Sequence, residues 1–543
     1  MNYERLFHAT LPETLLELAA LLVLLVDLGF LRKASLKTRI VSSVVIGAGG
    51  CLFAVLVLLR NGAEAFPLGN WMSIVKGIER PIIPPDFATI GLLLGGGPYV
   101  TVLQIGILIL TILTLILLVD TQFTRHAGEF VAVVLMAASG GLLVAGAQDL
   151  LVIFVGLELL SLGLYIMTAF MKGSGKSAEA ALKYYLFGGM SAAFLLFGFS
   201  YFYGLSGSTN LWEIQRSISM SGTNPLFYVA WVLVVAGLGF KIAAVPFHLW
   251  APDTYEGAPT PAAAFIASVS KVASFGLLLT LSLNWLSPGG PIYGKEAVVE
   301  PYLRAVYKTW PGLSVIMLVV ATASMVLGNL AALTQVSVRR LLAYSAIAHA
   351  GYISLGIATH SSYVGLGSAW IFYGSALNPA IRMNNAVVYY VLTYGLTTIG
   401  AFGVVSVVER ATGSDRLDSF LGLHKRNPLL AAVLLVLFLS LAGIPPLVGF
   451  WAKFNLFAAV LGVSAGPVPF ALVALAVALS AVSLYYYLQV LKRAYVMHAI
   501  DETPIKAHPV TMAVLVAIAA AVVILGCFPA LLQNWIQSFY PVL

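Results

Sequence analysis

The sequence predicts an all-α polytopic membrane protein. It would hold about fourteen transmembrane helices, two of them discontinuous, with two five-helix units related as inverted repeats. Three observations predict this. Only 9% of the 543 residues are charged and 60% are hydrophobic, whereas an average soluble domain carries about 25% charge. Apolar runs long enough to cross roughly 30 Å of hydrocarbon, at about 1.5 Å per residue, recur from end to end. Two of these runs are interrupted by proline at corresponding places. A barrel would show short alternating segments instead of continuous apolar runs.

The spans fall near 11–31, 39–59, 99–119, 127–147, 149–170, 181–204, 226–249, 260–284, 311–333, 338–358, 385–408, 428–459, 467–493 and 509–533. The twelfth is interrupted at "LAGIPPLVGF", because Pro445 and Pro446 cannot continue a helical hydrogen-bond ladder. Connections after odd-numbered spans, counted with the span ends that adjoin them, carry 17 of the 29 Lys and Arg residues, and the N-terminus with the connections after even-numbered spans carries 9. The remaining 3, Lys241, Lys271 and Lys453, lie away from these ends, inside spans. By the positive-inside rule the first connection, "LRKASLKTR", is cytoplasmic and both termini are outside. The net charge of +7 therefore belongs to the loops and reports orientation, not nucleic-acid binding.

Cys51 and Cys527 lie far apart in apolar runs, without a CxxC neighbour or a histidine cluster, so they are expected to pack in the core and not to bind metal. The N-terminal stretch lacks a basic region and a small-residue cleavage site, and no signal or transit peptide is expected.

Four stretches follow. Residues 1–126 hold three N-terminal helices with a Pro- and Gly-rich outer loop at 60–98. Residues 127–284 form the first five-helix repeat, 311–493 the second, and 494–543 the last helix. An odd number of spans per unit reverses the second unit relative to the first. Each unit breaks its fourth span, at Pro246 and at Pro445–Pro446, and paired breaks of this kind point to a transport pathway.

Charged residues at mid-membrane cost roughly 2.5–3.5 kcal/mol each on insertion scales, yet several occur. Glu158 sits in "LLVIFVGLELLSLGLYIM", Lys241 in "GLGFKIAAVPFHLWAPD", Lys271 in "AAAFIASVSKVASFGLLL" and Lys453 in "GFWAKFNLF". His349 lies in "LLAYSAIAHAGYISLGI". Glu158 and His349 both occupy the second span of their unit, which pairs them as repeat equivalents. A structural ion pair between Glu158 and Lys241 would explain those two alone, but Lys271 and Lys453 have no counter-ion visible in the sequence. Ionisable groups in low dielectric can exchange protons near neutral pH, and a row of them joined by water is a proton relay. His349 alone would equally suit a hydrogen-bonded core position, and Lys183 a side chain reaching toward the membrane surface. Pro246 removes a donor and clashes one turn back, so the helix is expected to break after Lys241 and bring polar backbone to that lysine. His248, Asp253 and Glu256 follow at the cytoplasmic end, either as a proton-uptake cluster or as a polar turn capping the next helix.

These motifs resemble those of the antiporter-like membrane subunits of respiratory complex I and their relatives in multisubunit sodium/proton antiporters. The segments that carry the resemblance are "DLLVIFVGLELLSLGLYIM", "KIAAVPFHLWAPDTYEGAPTPAAAFIASVSKVASF", "RRLLAYSAIAHAGYISLG" and "LAGIPPLVGFWAKFNLF". "WAPDTYEGAPTP" and Lys453 are similar to the N-type members, where M-type members carry a glutamate in place of that lysine. The resemblance implies a proton-translocating membrane-arm subunit of NADH:quinone oxidoreductase in a bacterial inner membrane, and alternatively a cation/proton antiporter subunit. It further implies a coupling pair Glu158–Lys241, a central relay lysine Lys271, an exit-side Lys453 and a linking His349. It implies no cofactor in this chain, with FMN, iron–sulfur clusters, NADH and quinone on other subunits. The implied partners are other membrane subunits, among them neighbouring antiporter-like ones, together with the bilayer and protons, and no nucleic acid. The loops at 60–98 and 286–310 are longer than the family pattern.

Overall fold

The structure is a computed structural model that describes residues 10–65, 98–121, 123–221, 224–286, 311–361, 379–463, 467–499 and 503–539. Most of the loop expected at 60–98, and that at 286–310, lie outside the described residues. In chain order the helices are α1 (Leu11–Leu24), α2 (Leu36–Ala65), α3 (Pro98–Leu118), α4 (Ala127–Gly146), α5 (Leu150–Thr168) and α6 (Gly175–Ser206). They continue as α7 (Leu211–Ser221), α8 (Pro225–Ile242), α9 (Trp250–Gly257), α10 (Thr260–Phe265), α11 (Lys271–Leu286), α12 (Pro311–Ala332) and α13 (Val338–Ser361). The rest are α14 (Pro379–Thr412), α15 (Leu423–Arg426), α16 (Pro428–Ala442), α17 (Val448–Val463), α18 (Pro467–Tyr495), α19 (Pro509–Cys527) and α20 (Ala530–Ser538). A π-helical turn at Leu25–Phe30 extends α1, and another at Ile266–Ser270 joins α10 to α11.

Among the described residues, 12 helical segments are long and apolar enough to cross a membrane. Two further crossings come from α1 with its π-helical extension and from the broken pair α16–α17, which gives the expected architecture of about fourteen. Local chemistry sets the boundaries. Asp149 accepts from Leu151 N at the start of α5, and Asn224 and Asn427 cap α8 and α16 immediately before a first-turn proline.

The repeat is visible as a constant displacement of 188 residues. A Cβ on Gly140 would lie 2.5 Å from Leu160 N, and one on Gly328 would lie 2.5 Å from Ala348 N. At the equivalent pair, a Cβ on Gly163 would lie 3.4 Å from Val133 O and one on Gly351 2.7 Å from Ala321 O. The short bridges Asp149–Asn210 and Ser337–Arg416 begin their second helices alike. Glycine is required at these crossings because the helix backbones touch. The same register corrects the pairing of Glu158 with His349. His349 corresponds to Ser161, and Glu158 to Ala346, one turn away from the expected match.

Burial follows position in the bundle. The apolar core of Thr260–Ser282 is 100% buried and that of Val338–Thr359 is 94% buried, whereas that of α18 is 22% buried. The helices bearing Lys271 and His349 are therefore at the centre, wrapped by others that turn Leu182, Leu186, Phe470 and Val477 outward. The two units meet where α9 and α11 pack on α13, α10 on α14 and α8 on α12.

Candidate functional site

Two broken helices organise the site. The span expected to reach 249 ends as a helix at Ile242, where Ala243 adopts a left-handed conformation (φ 57°). Ala244 N returns to Gly239 O, and Val245 N donates to Ser324 Oγ (2.9 Å) on α12 of the other unit. The second break mirrors it. α16 ends at Ala442, Gly443 takes φ 89°, and Ile444 N returns to Leu439 O.

Each break leaves helix-terminal carbonyls facing the interior, and each is met by a buried lysine. Lys271 Nζ donates to Ile242 O at 2.7 Å and to Ala346 O on α13 at 3.3 Å. Lys453 Nζ donates to Ala442 O (2.9 Å), Leu441 O (3.1 Å) and Ser480 Oγ (2.8 Å). The negative end of a helix dipole is a natural seat for an ammonium. The lysines come from different places: Lys271 from the following span, directly after a π-helical turn, and Lys453 from the second half of the broken helix itself.

Lys241, in the last turn of α8, is 6% exposed and donates to Ser161 Oγ on α5. Glu158, one turn before Ser161, is half-buried and acts on Lys241 electrostatically. Among the described residues the two do not form an ion pair. His349 is 4% exposed; its Nδ1 pairs with Tyr390 OH (2.9 Å) and its Nε2 has no partner among the described residues. It lies within electrostatic reach of both Lys271 and Lys453. His248 is buried in the segment between α8 and α9.

These groups make one sequence of contacts. Ser161 holds Lys241, whose neighbour Ile242 accepts from Lys271; Lys271 also reaches Ala346. Ala346, His349 and Tyr352 then follow at one-turn intervals on α13, and the Lys453 ammonium lies 5.5 Å from the centre of the Tyr352 ring. Sequence reasoning missed Ser161, Ser480, Ala346 and Tyr352. Of these, only Tyr352 carried a signal, the three-residue spacing from His349 in "HAGY".

Asp253 and Glu256 are engaged in ion pairs. Asp253 binds Lys183 of α6 (2.8 Å) and Arg340 of α13 (2.6 Å), and Glu256 binds Lys176 and Arg340 (3.1 Å each). Lys183 therefore has acidic partners and does not simply reach for the surface. Beside this network Arg339 donates to Ala258 O (2.9 Å) and pairs with Glu409 (3.1 Å). A cavity of about 710 Å³ lies here, lined from both units by Lys176, Glu256, Thr260, Arg339, Arg340 and Glu409. Burial alone would raise the Asp253 carboxyl, but the hydrogen bonds from Lys183 and Arg340 outweigh it and hold it below the ordinary carboxylate value.

The transmembrane family described as NADH:quinone oxidoreductase/Mrp antiporter matches residues 147–289, 302–378 and 368–483. The NADH-quinone oxidoreductase subunit N 2 of Acidobacterium capsulatum is 43% identical over 99% of both chains. A chain of respiratory complex I from Thermus thermophilus superposes with a TM-score of 0.70 at 31% identity, covering 96% of this chain and 98% of that one. A chain of the Mrp complex from a Dietzia species shares the fold, with a TM-score of 0.71 at 19% identity over 97% of this chain and 96% of that one.

Proposed function

We propose a mechanism from one premise: the chain belongs to the NADH:quinone oxidoreductase/Mrp antiporter transmembrane family. It is a multi-pass, proton-translocating membrane-arm subunit of NADH:quinone oxidoreductase, and its partners include other membrane subunits of that complex. We read its home as a bacterial inner membrane, beside further antiporter-like subunits, with both termini on the periplasmic side as the Lys and Arg distribution directs. Flavin, iron–sulfur clusters, NADH and quinone belong, on this reading, to other subunits.

One observation carries the mechanism: Lys241, Lys271, His349 and Lys453 form a buried row that runs from one helix break to the other. Energy from quinone reduction elsewhere alters the distance between Glu158 and Lys241. An engaged carboxylate holds the proton on Lys241, and release from it lets the proton pass to Lys271. The described arrangement, with Lys241 on Ser161, corresponds to the released state. From Lys271 the proton crosses by His349 to Lys453 on the exit side. Buried polar atoms without a partner among the described residues, namely His349 Nε2, Ser274 Oγ, Ser354 Oγ and Tyr389 OH, are where water would complete the path.

The energetics are compatible. Moving one charge against ~100 mV costs about 2.3 kcal/mol, and each pKa unit of change in a lysine supplies about 1.4 kcal/mol. Glu158→Ala and Lys241→Ala should each lower proton pumping per NADH oxidised while the complex still assembles. Vesicles that pump normally with both variants would defeat the mechanism.

A further inference from the structure

Tyr352 lies between the two groups that the relay must connect. Its ring is 1% exposed, with the His349 ring at 5.8 Å edge-on (89°) on one side and the Lys453 ammonium 5.5 Å from its centroid on the other. Phe457 packs a third edge at 5.9 Å. The phenol oxygen touches neither relay group. It accepts from Asn329 Nδ2 (3.0 Å) on α12, and Asn329 is held by its own bond to Met325 O (2.8 Å) and by Tyr486 OH on α18, which donates to Asn329 Oδ1 (3.2 Å).

An aromatic face within about 6 Å attracts an ammonium and has no comparable pull on a neutral amine. The carbonyls of Leu441 and Ala442 and the Ser480 hydroxyl take up the three N–H donors, so the ring is a separate source of charge preference. Resting on the relay reading above, we infer that Tyr352 is a positioning residue for Lys453. Its ring seats the protonated lysine, Asn329 and Tyr486 fix the ring, and the phenol group does not carry the proton. Tyr352 thereby sets the pH at which the exit-side lysine lets its proton go.

Among the described residues, Lys453 acts electrostatically on His349 and lies over the Tyr352 ring, both on α13, while Tyr390 on α14 and Tyr486 and Tyr487 on α18 interact electrostatically with Tyr352. α16 carries no ionisable group, and α19 carries only Cys527.

The test measures protons pumped per NADH oxidised against pH, in vesicles holding the whole complex, with assembly followed on native gels. Tyr352→Phe keeps the ring but loses the bond from Asn329, so it should pump within about twofold of the parent and move the profile no further than Asn329→Leu does. Tyr352→Leu should move the alkaline limb to lower pH by about half a unit to one and a half units. Asn329→Leu should move it the same way by less. Should Tyr352→Leu fail to assemble, a pentafluorophenylalanine at 352 keeps the shape with a weakened π-face and should give the same shift. An unmoved limb in assembled Tyr352→Leu or pentafluorophenylalanine complexes overturns the inference, as does loss of pumping in Tyr352→Phe. Lys453→Ala separates the two readings: normal pumping there removes the relay itself, whereas lost pumping beside an unmoved Tyr352→Leu profile removes only the seat.

Discussion

The Lys271 ammonium donates a 2.7 Å hydrogen bond to the carbonyl of Ile242, the last helical residue of α8 and the neighbour of Lys241. One lysine thus satisfies the helix end that the other occupies. Lys271→Met should leave the carbonyls of Ile242 and Ala346 buried without that donor, at about 1–3 kcal/mol each, and should lower the thermal stability of the complex as well as abolish pumping. Lys271→Arg keeps a cation at the carbonyls, but a guanidinium does not release its proton in proteins. That variant should retain assembly and still fail to pump, as measured by proton uptake against NADH oxidation. Pumping restored by arginine would show that Lys271 acts only as a charge.

The two breaks differ in the residue that takes the left-handed turn. Gly443 has φ 89°, and a Cβ there would lie 3.0 Å from Lys453 Cδ. Gly443→Ala should therefore cost more than the about 1–2 kcal/mol of left-handed strain, because it also presses on the lysine stem. Ala243 already bears φ 57°, so Ala243→Gly should hold or raise the melting temperature. Thermal melts of the two purified complexes should move in opposite directions or, at the least, only the first should fall.

The ionisable core was legible in the sequence because charge inside apolar runs is rare and costly. Lys241, Lys271, Lys453 and His349 stand out for that reason alone, and Pro246 and Pro445–Pro446 mark the breaks. Their partners were not legible. Ile242, Ala346, Leu441 and Ala442 act through backbone carbonyls, which look alike at every position. The Glu158–Lys241 contact expected from opposite charge is replaced by Lys241–Ser161, since the hydroxyl one turn further along α5 is what the ammonium reaches. Asp253 and Glu256 suit an uptake cluster or a capping turn equally in the sequence, because Arg340, 87 and 84 residues away, gives no local sign of pairing with them.

On the proposed mechanism, the Ser161 hydroxyl that holds Lys241 competes with the Glu158 carboxylate one turn away. Ser161→Ala removes the hydroxyl and should favour the Glu158-engaged state, lowering pumping several-fold without loss of assembly. Ser161→Thr supplies the same oxygen and should restore most of it. Equal activity of the alanine and threonine variants in the pumping assay would remove Ser161 from the mechanism.

Asp253 joins the units, from α9 to Lys183 of α6 and Arg340 of α13. Its carboxyl is held below the ordinary value in the folded protein, because the two cationic hydrogen bonds outweigh burial. A carboxyl of depressed value contributes stability that is fully present above its unfolded value and is lost as pH falls through the folded one. The contact should thus be intact at pH 7 and weaken only in acid, below about pH 4. Asp253→Asn cannot make the ionised contact at any pH. Its melting temperature should lie below that of the parent at neutral pH, and the gap should close as both are acidified. About a third of the Asp253 side chain is exposed (30%), so the gap should also narrow in high salt. A gap that stayed constant from pH 7 to pH 3 would mean that the asparagine perturbs packing, not charge.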